Sequence, residues 1–386
     1  RRKEIRRDHS RDLQFGQRGQ IRQVLNAGVL KHFFQKEVFV WYLEKRNVVS
    51  SLELPKVSVV IPARNEEEFI EKCIMSFLDC DYPSDLVEVI VVDGMSEDKT
   101  KEIVIRIAEK DHRVLLIDNE KQITPVAMNL GVKASKGEYI FFSGAHSEMS
   151  SDYISKCIKH ALETGADNVG GVMKTEPRVK STVGIAIAKV LSSPFGVGGA
   201  KFRTGVSKPA EVDTVPFGCY KRDVFERIGY FNEKLVRNQD IEFNLRLRRA
   251  GGRIILFPDI ELTYYSRSTY KELCKNSFGN GYWVIAGTKN ASVPFSLRHM
   301  VPLLFVLYLV LGSILSLVSI MPKALFPGTI ILYLIVVISS SLSVVRFVRS
   351  WKALFAAILA FVTLHISYGM GSMAGLFSLI SRREDT

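Results

Sequence analysis

The sequence ends in three runs without a charged side chain, Met300–Pro322, Ala324–Val345 and Ala353–Ser381. Each exceeds the roughly 20 apolar residues that cross a bilayer. Three such runs in succession are hard to bury in a water-soluble core. They predict a C-terminal transmembrane region, 300–386, with helices over about 300–322, 324–345 and 353–381. The loop between the second and third runs carries Arg346, Arg349 and Lys352, against Lys323 alone between the first and second. The positive-inside rule then puts that second loop, and with three spans residues 1–299, in the cytoplasm. Arg382 and Arg383 oppose this mildly. The expectation is a multi-pass cell-membrane protein. Gly371 and Gly375 form a small-xxx-small pair, a spacing that permits close helix packing.

Such a tail changes the meaning of the charge. The 386 residues hold 52 Lys+Arg against 40 Asp+Glu, a formal +12. That balance first suggests nucleic acid or anionic lipid. Residues 56–299, however, hold 34 basic and 32 acidic residues, so the excess lies on the flanks. A nucleic-acid partner is disfavoured, and basic flanks beside apolar spans suit an anionic membrane face. Residues 1–55 read as a basic arm or interfacial segment. The five cysteines are scattered and include no CxxC pair. They read as free thiols in a reducing compartment, not as a disulfide framework or zinc site.

The middle of the chain alternates short apolar runs with helical periodicity. Strands are expected at Val57–Ile61, Val87–Val92, Val114–Ile117, Tyr139–Phe142 and Val169–Met173, with helices at Glu66–Leu78, Thr100–Lys110, Ile123–Ala134 and Asp152–Thr164. This alternation predicts a mostly parallel sheet covered by helices, with ligands bound beyond the strand ends. Pro62-Ala-Arg-Asn65-Glu66-Glu67 follows the first strand and Asp93-Gly94 ends the second. A strand-end carboxylate before a Gly turn suits a nucleoside, whose N–H or hydroxyl groups it can accept; it also suits a plain capped helix start. No GxGxxG follows the first strand, which disfavours a dinucleotide site. Gly196-Val-Gly-Gly199 reads as a loop.

Together, VSVVIPARNEEEFIEKCIMSFL, VIVVDGMSEDKT, Ala127-Met-Asn129-Leu-Gly131 and Ala134-Ser-Lys-Gly137 resemble the family 2 glycosyltransferases over about 56–295. Pro194–Arg203, Val212–Gly218 and Arg237-Asn-Gln239-Asp240-Ile-Glu242 resemble the succinoglycan-biosynthesis (ExoA-like) subgroup, whose members also end in membrane spans. The resemblance implies an α/β GT-A catalytic domain over 56–299: a Rossmann-like mixed sheet with helices on both faces, followed by a bundle of three transmembrane helices. It implies that Asp93 binds the nucleoside, most simply uracil, with Pro62, Asn65, Glu66 and Glu67 around it. Asp240 becomes the catalytic base, preceded by Gln239 where the family usually has Glu. Gly144, Ala145, Arg203 and Gln239 fall in the nucleotide-sugar site. One positioned carboxylate can take the acceptor's proton as the hydroxyl attacks the anomeric carbon. A helix-end role for Asp240, and an Arg246 pair for Glu242, are compatible structural readings.

The metal motif departs from the family. The family places Asp-x-Asp after the fourth strand to hold a cation on the diphosphate. This chain has Ser143-Gly144-Ala145-His146-Ser147-Glu148. His146 is the best-placed ligand, better for Mn²⁺ than for Mg²⁺. Glu148 is a second candidate, and Arg203 an alternative source of positive charge.

The resemblance thus implies a membrane-anchored, inverting hexosyltransferase in envelope polysaccharide or glycan synthesis. It would use a nucleotide sugar, a divalent cation and a lipid-linked saccharide acceptor. The processive QxxRW signature is absent, which favours single-sugar transfer. Two alternatives stand beside this: a polyprenyl-phosphate sugar synthase, whose ionised acceptor needs no base, and a degenerate, non-catalytic sugar-nucleotide-binding scaffold.

Overall fold

The computed structural model describes residues 54–289 and 297–381. Most of the arm expected over 1–55 lies outside them. Four strands, β1 (Val57–Ala63), β2 (Val87–Asp93), β3 (Val114–Asp118) and β4 (Tyr139–Phe142), alternate with helices α1 (Ile70–Leu78), α2 (Thr100–Ala108) and α3 (Thr124–Ala134). The strands pair in the parallel order β3-β2-β1-β4. The interior residues of β1 and β2 are buried almost throughout, because helices cover both faces.

The second half turns the sheet mixed. It contributes β5 (Ser147–Met149), α4 (Tyr153–Thr164), β6 (Asn168–Pro177), α5 (Thr182–Val190), α6 (Pro194–Val197) and α7 (Lys201–Thr204). There follow β7 (Ala210–Glu211), β8 (Cys219–Lys221), α8 (Asp223–Ile228), α9 (Gln239–Arg249) and β9 (Ile254–Ser266). β8 joins β4 and β6 antiparallel, whereas β6 and β9 are parallel. The sheet is therefore the GT-A-like mixed type, parallel through β3-β2-β1-β4 and β6-β9, with β5, β7 and β8 pairing antiparallel. Buried clusters pack against its two faces, one centred on Ile61, Phe141 and Ile154, the other on Val60, Phe142 and Phe243.

Two boundaries differ from expectation for clear reasons. The first helix starts at Ile70 and not at Glu66. The Glu66 N–H donates to Thr100 Oγ1 at the start of α2, and the Glu67 N–H to Asp98 Oδ2 of the loop after β2, at 2.8 and 3.1 Å. The Gly196–Gly199 segment is not wholly loop. Pro at the first helical turn begins α6, and Gly198 ends it at φ 60°. All five cysteines are free, and only Cys274 is exposed.

α10 (Tyr270–Ala286) leaves the sheet, followed by α11 (Leu297–Leu317), α12 (Leu325–Val348) and α13 (Trp351–Ser381). The last three are long and apolar enough to cross a membrane. They do not stand apart from the sheet domain. Ala186, Ile187 and Val190 of α5 and Leu273 of α10 share one buried cluster with Val337 and Val344 of α12 and Ala357 and Phe361 of α13.

Candidate functional site

The C-terminal ends of β1, β2, β3 and β4 open on one cavity of about 1090 Å³. Sequence-expected residues on its wall are Pro62, Gly144, Ala145, His146, Arg203, Gln239 and Asp240. The volume lies at the upper end of single-ligand pockets, which run to about 1,000 Å³.

Asp93 lies just behind the wall, fully buried beneath Gly94. Its carboxylate accepts from Ser96 N–H at 2.9 Å and Ser96 Oγ at 2.5 Å. The left-handed residue of this turn is Met95, φ 58°, and not Gly94. A non-glycine residue held there marks a loop fixed by its surroundings.

Asn65 and Glu67 are not among the lining residues. Asn65 sits at φ 53°; its N–H donates to Ser96 Oγ and its Oδ1 accepts from Glu97 N–H, both at 2.9 Å. Glu67 Oε2 accepts from Lys99 N–H at 3.0 Å. Both side chains lace the β1 loop to the β2 loop. Glu66, between them, is the one that faces the cavity.

The expectation that Glu148 serves a metal also needs correction. Residues 146 and 148 lie beside and within the short strand β5, and their side chains part company. Glu148 pairs with Lys72 at 2.7 Å and accepts from Tyr265 Oη at 2.7 Å, outside the cavity wall. His146 Nδ1 lies 2.9 Å from Glu66 Oε1, and Arg178 reaches Glu66 Oε2 at 3.1 Å. Burial alone would raise the Glu66 pKa. The His146 hydrogen bond and the charges of His146, Arg178 and Arg267 outweigh it and hold the carboxyl below its ordinary value. Ionised Glu66 thus accepts the Nδ1–H of His146. A side chain at Gly144 would crowd the Phe217 ring: an added Cβ would lie 3.0 Å from it. No group of three His, Cys, Asp or Glu gathers to hold a metal among the described residues.

Opposite stands α9. Its cap is Asn238, φ 61°, and Asp240 lies in the first turn and does not cap it. Asp240 is exposed to the cavity yet surrounded by protein. That desolvation raises its pKa above an ordinary aspartate's, against the pull of the Ile241 and Asp240 backbone N–H groups. No cation forms a salt bridge with it among the described residues. Glu242, by contrast, is buried and paired with Arg246 Nε at 2.6 Å, so its role is structural. Arg203 lies against Tyr264, 5.4 Å from ring centre, and donates to Thr175 Oγ1 at 3.3 Å. Burial lowers its pKa and only Tyr264 opposes this.

Three wall residues escaped the sequence reading. Asn119 follows β3 as Gly94 follows β2; its buried Oδ1 has no partner. Strand-end position alone would have singled it out. Arg237 and Asn238 stand in the Arg-Asn-Gln-Asp run, but only the tertiary contacts reveal their surroundings. Arg237 donates to Asn276 and Asn280 of α10, at 3.0 and 2.9 Å.

Comparison with known proteins agrees with this architecture. Residues 58–229 match the Glycosyl transferase family 2 profile. The chain is 34% identical to the succinoglycan biosynthesis protein ExoA of Rhizobium meliloti over 277 residues, covering 70% of this chain and 82% of that protein. It is 29% identical to a dolichyl N-acetyl-alpha-D-glucosaminyl phosphate 3-beta-D-2,3-diacetamido-2,3-dideoxy-beta-D-glucuronosyltransferase of Methanococcus voltae, over 58% of this chain and 71% of that one. In fold it is similar to the mannosyltransferase PcManGT from Pyrobaculum calidifontis, solved with GDP-Man and Mn²⁺. That likeness has a TM-score of 0.53 at 18% identity, over 90% of this chain and 96% of that one.

Proposed function

The chain belongs to glycosyltransferase family 2 and is a glycosyltransferase, and from that premise we propose that it is an inverting enzyme moving one hexose from a nucleotide sugar to a lipid-linked saccharide. The observation that carries this is Asp240, an unpaired carboxylate of raised pKa on the wall of the cavity at the strand ends. In the reaction the acceptor oxygen bonds to the anomeric carbon, whose bond to the diphosphate breaks. Asp240 takes the hydroxyl proton, and the nucleoside diphosphate leaves with the electron pair. The name of the Methanococcus voltae relative specifies a lipid-linked sugar acceptor. The three apolar helices and the basic loop at Arg346–Lys352 support a membrane location with this cavity on the cytoplasmic side.

The nucleoside lies over Gly94, with Asp93 behind it and Asn119 Oδ1 as a second acceptor. Asp93→Asn should weaken UDP binding roughly tenfold or more, the worth of one charge-assisted hydrogen bond. Calorimetry with UDP checks this, and unchanged affinity would remove Asp93 from the site.

A divalent cation fits one place in this wall. His146, with Glu66 behind its Nδ1, has the imidazole–carboxylate arrangement that orients a metal-binding histidine. Such a cation would neutralise charge on the leaving diphosphate, alongside Arg203. With a single imidazole as protein ligand, EDTA should abolish transfer, and Mn²⁺ should restore it better than Mg²⁺. His146→Ala should weaken Mn²⁺ binding, read by electron paramagnetic resonance. Full activity in EDTA would assign the whole neutralising role to Arg203.

A further inference from the structure

The cavity does not end at Asp240. It runs on from α9, past Phe195 of α6, to the apolar helices, where Val301, Phe305, Tyr333, Leu364 and Tyr368 line it. The lining comes from α11, α12 and α13, with the Phe305 and Tyr333 rings 4.6 Å apart across α11 and α12. An occupant of this limb would therefore lie against all three apolar helices. His365 ties the limb together, with Nδ1 3.1 Å from Tyr333 Oη and Nε2 3.0 Å from the Phe195 carbonyl oxygen.

Two polar groups mark the junction of this apolar limb with the reaction centre. Arg237, three residues before Asp240, bonds only to the neutral amide oxygens of Asn276 and Asn280 and meets no carboxylate among the described residues. Beside it, Asn238 Nδ2 is closed to water and has no acceptor. Arg298, at the entrance to α11, is already neutralised by Asp213 at 2.7 Å. The junction thus offers one unneutralised cation and one free donor among the described residues, followed by an aromatic and aliphatic limb lined by the three apolar helices.

We propose that this limb binds the polyprenyl phosphate part of the acceptor. Its phosphate lies on Arg237 and Asn238, and its hydrocarbon runs along Val301, Phe305 and Tyr333. The inference rests on the lipid-linked acceptor proposed above and adds where that lipid sits. The charge pattern suits it: an anion needs the unpaired guanidinium, and the attached chain needs a dry path into the bilayer. The bound phosphate would then hold the acceptor's sugar hydroxyl near Asp240.

The test uses the full chain in detergent, with undecaprenyl phosphate retention read by native mass spectrometry. Inorganic phosphate and phosphatidic acid serve as competitors, and UDP binding is measured separately. Wild type should retain undecaprenyl phosphate against equal concentrations of either competitor. Arg237→Gln should weaken retention about tenfold or more. Val301→Trp should do likewise by filling the limb; Val301 is 56% exposed, so the larger ring need not displace the core. Leu311→Trp, on the same helix but outside the cavity wall, should change nothing. UDP affinity should be equal in all four proteins. Equal displacement by phosphatidic acid, equal behaviour of the two Trp variants, or an unaffected Arg237→Gln would each overturn the assignment. Absence of UDP binding in wild type would count against the donor reading alone, because lipid retention is read without it.

Discussion

Asp240→Asn is expected to lower transfer by about 10²–10⁴-fold, the usual worth of a positioned general base, with UDP affinity unchanged. The substitution keeps the side chain's size and removes its ability to hold a proton from the acceptor. Its pH signature follows from the raised pKa. The carboxylate must be ionised to act, so transfer should fall as pH falls through a value above that of an ordinary aspartate. This acid limb should be absent from the residual activity of the Asn variant. Stability should move the other way. In the folded chain the carboxyl holds its proton more tightly than in the unfolded chain, so above the unfolded pKa its ionisation disfavours folding. Removing the charge should leave the melting temperature unchanged or higher at neutral pH. Loss of activity then could not be ascribed to unfolding. An acceptor that is itself an ionised phosphate needs no base. A fully active Asp240→Asn protein would therefore favour polyprenyl-phosphate sugar synthesis over transfer to a hydroxyl.

The two aspartates were legible because each ends or begins a regular element. Asp93 closes a buried apolar run, and Asp240 opens a helix after a polar turn. Strand existence was legible for the same reason: β1 and β2 are covered on both faces, so their apolar residues are continuous. Facing was less legible. Asn65, Glu66 and Glu67 are consecutive, yet only Glu66 turns to the cavity, since the other two satisfy backbone N–H groups of the β2 loop. Glu148 lies two residues from His146 but is captured by Lys72. Such choices depend on partners far away in the chain, which a local motif does not contain. Arg237 and Asn119 illustrate the converse, because their importance comes from what they lack in the folded chain. The antiparallel entry of β8 between β4 and β6 was hidden for a related reason: three residues, Cys219–Lys221, carry too little pattern to announce a strand.

Gly371→Leu should destabilise the protein severely, because the small-xxx-small pair seals the sheet domain to the long apolar helices. Gly371 and Gly375 face α10, the helix that leaves the sheet domain. A Cβ on Gly371 would lie 2.0 Å from the Phe278 carbonyl oxygen, and one on Gly375 2.6 Å from that of Tyr282. From the other side, a Cβ on Gly281 would lie 2.0 Å from the Tyr368 carbonyl oxygen. These obstacles are backbone atoms, which cannot swing aside as the end of a side chain can. Ser372 Oγ also donates across the seam to the Gly281 carbonyl, at 3.2 Å. A leucine must therefore push α10 and α13 apart over more than a turn, at about 3 kcal/mol or more, beyond ordinary overpacking. The same movement would carry Asn276 and Asn280 away from Arg237 and shift Tyr368 in the cavity wall. Any protein that still folded should then transfer poorly while binding UDP normally, since Asp93 and Asn119 lie on the far strand ends. Melting temperature and monodispersity in detergent measure the first effect. Gly328→Leu is the control, because a Cβ there meets nothing within 4 Å. If Gly371→Leu melted with wild type and the control, the α10–α13 contact would not be the joint that holds the sheet domain to the apolar helices.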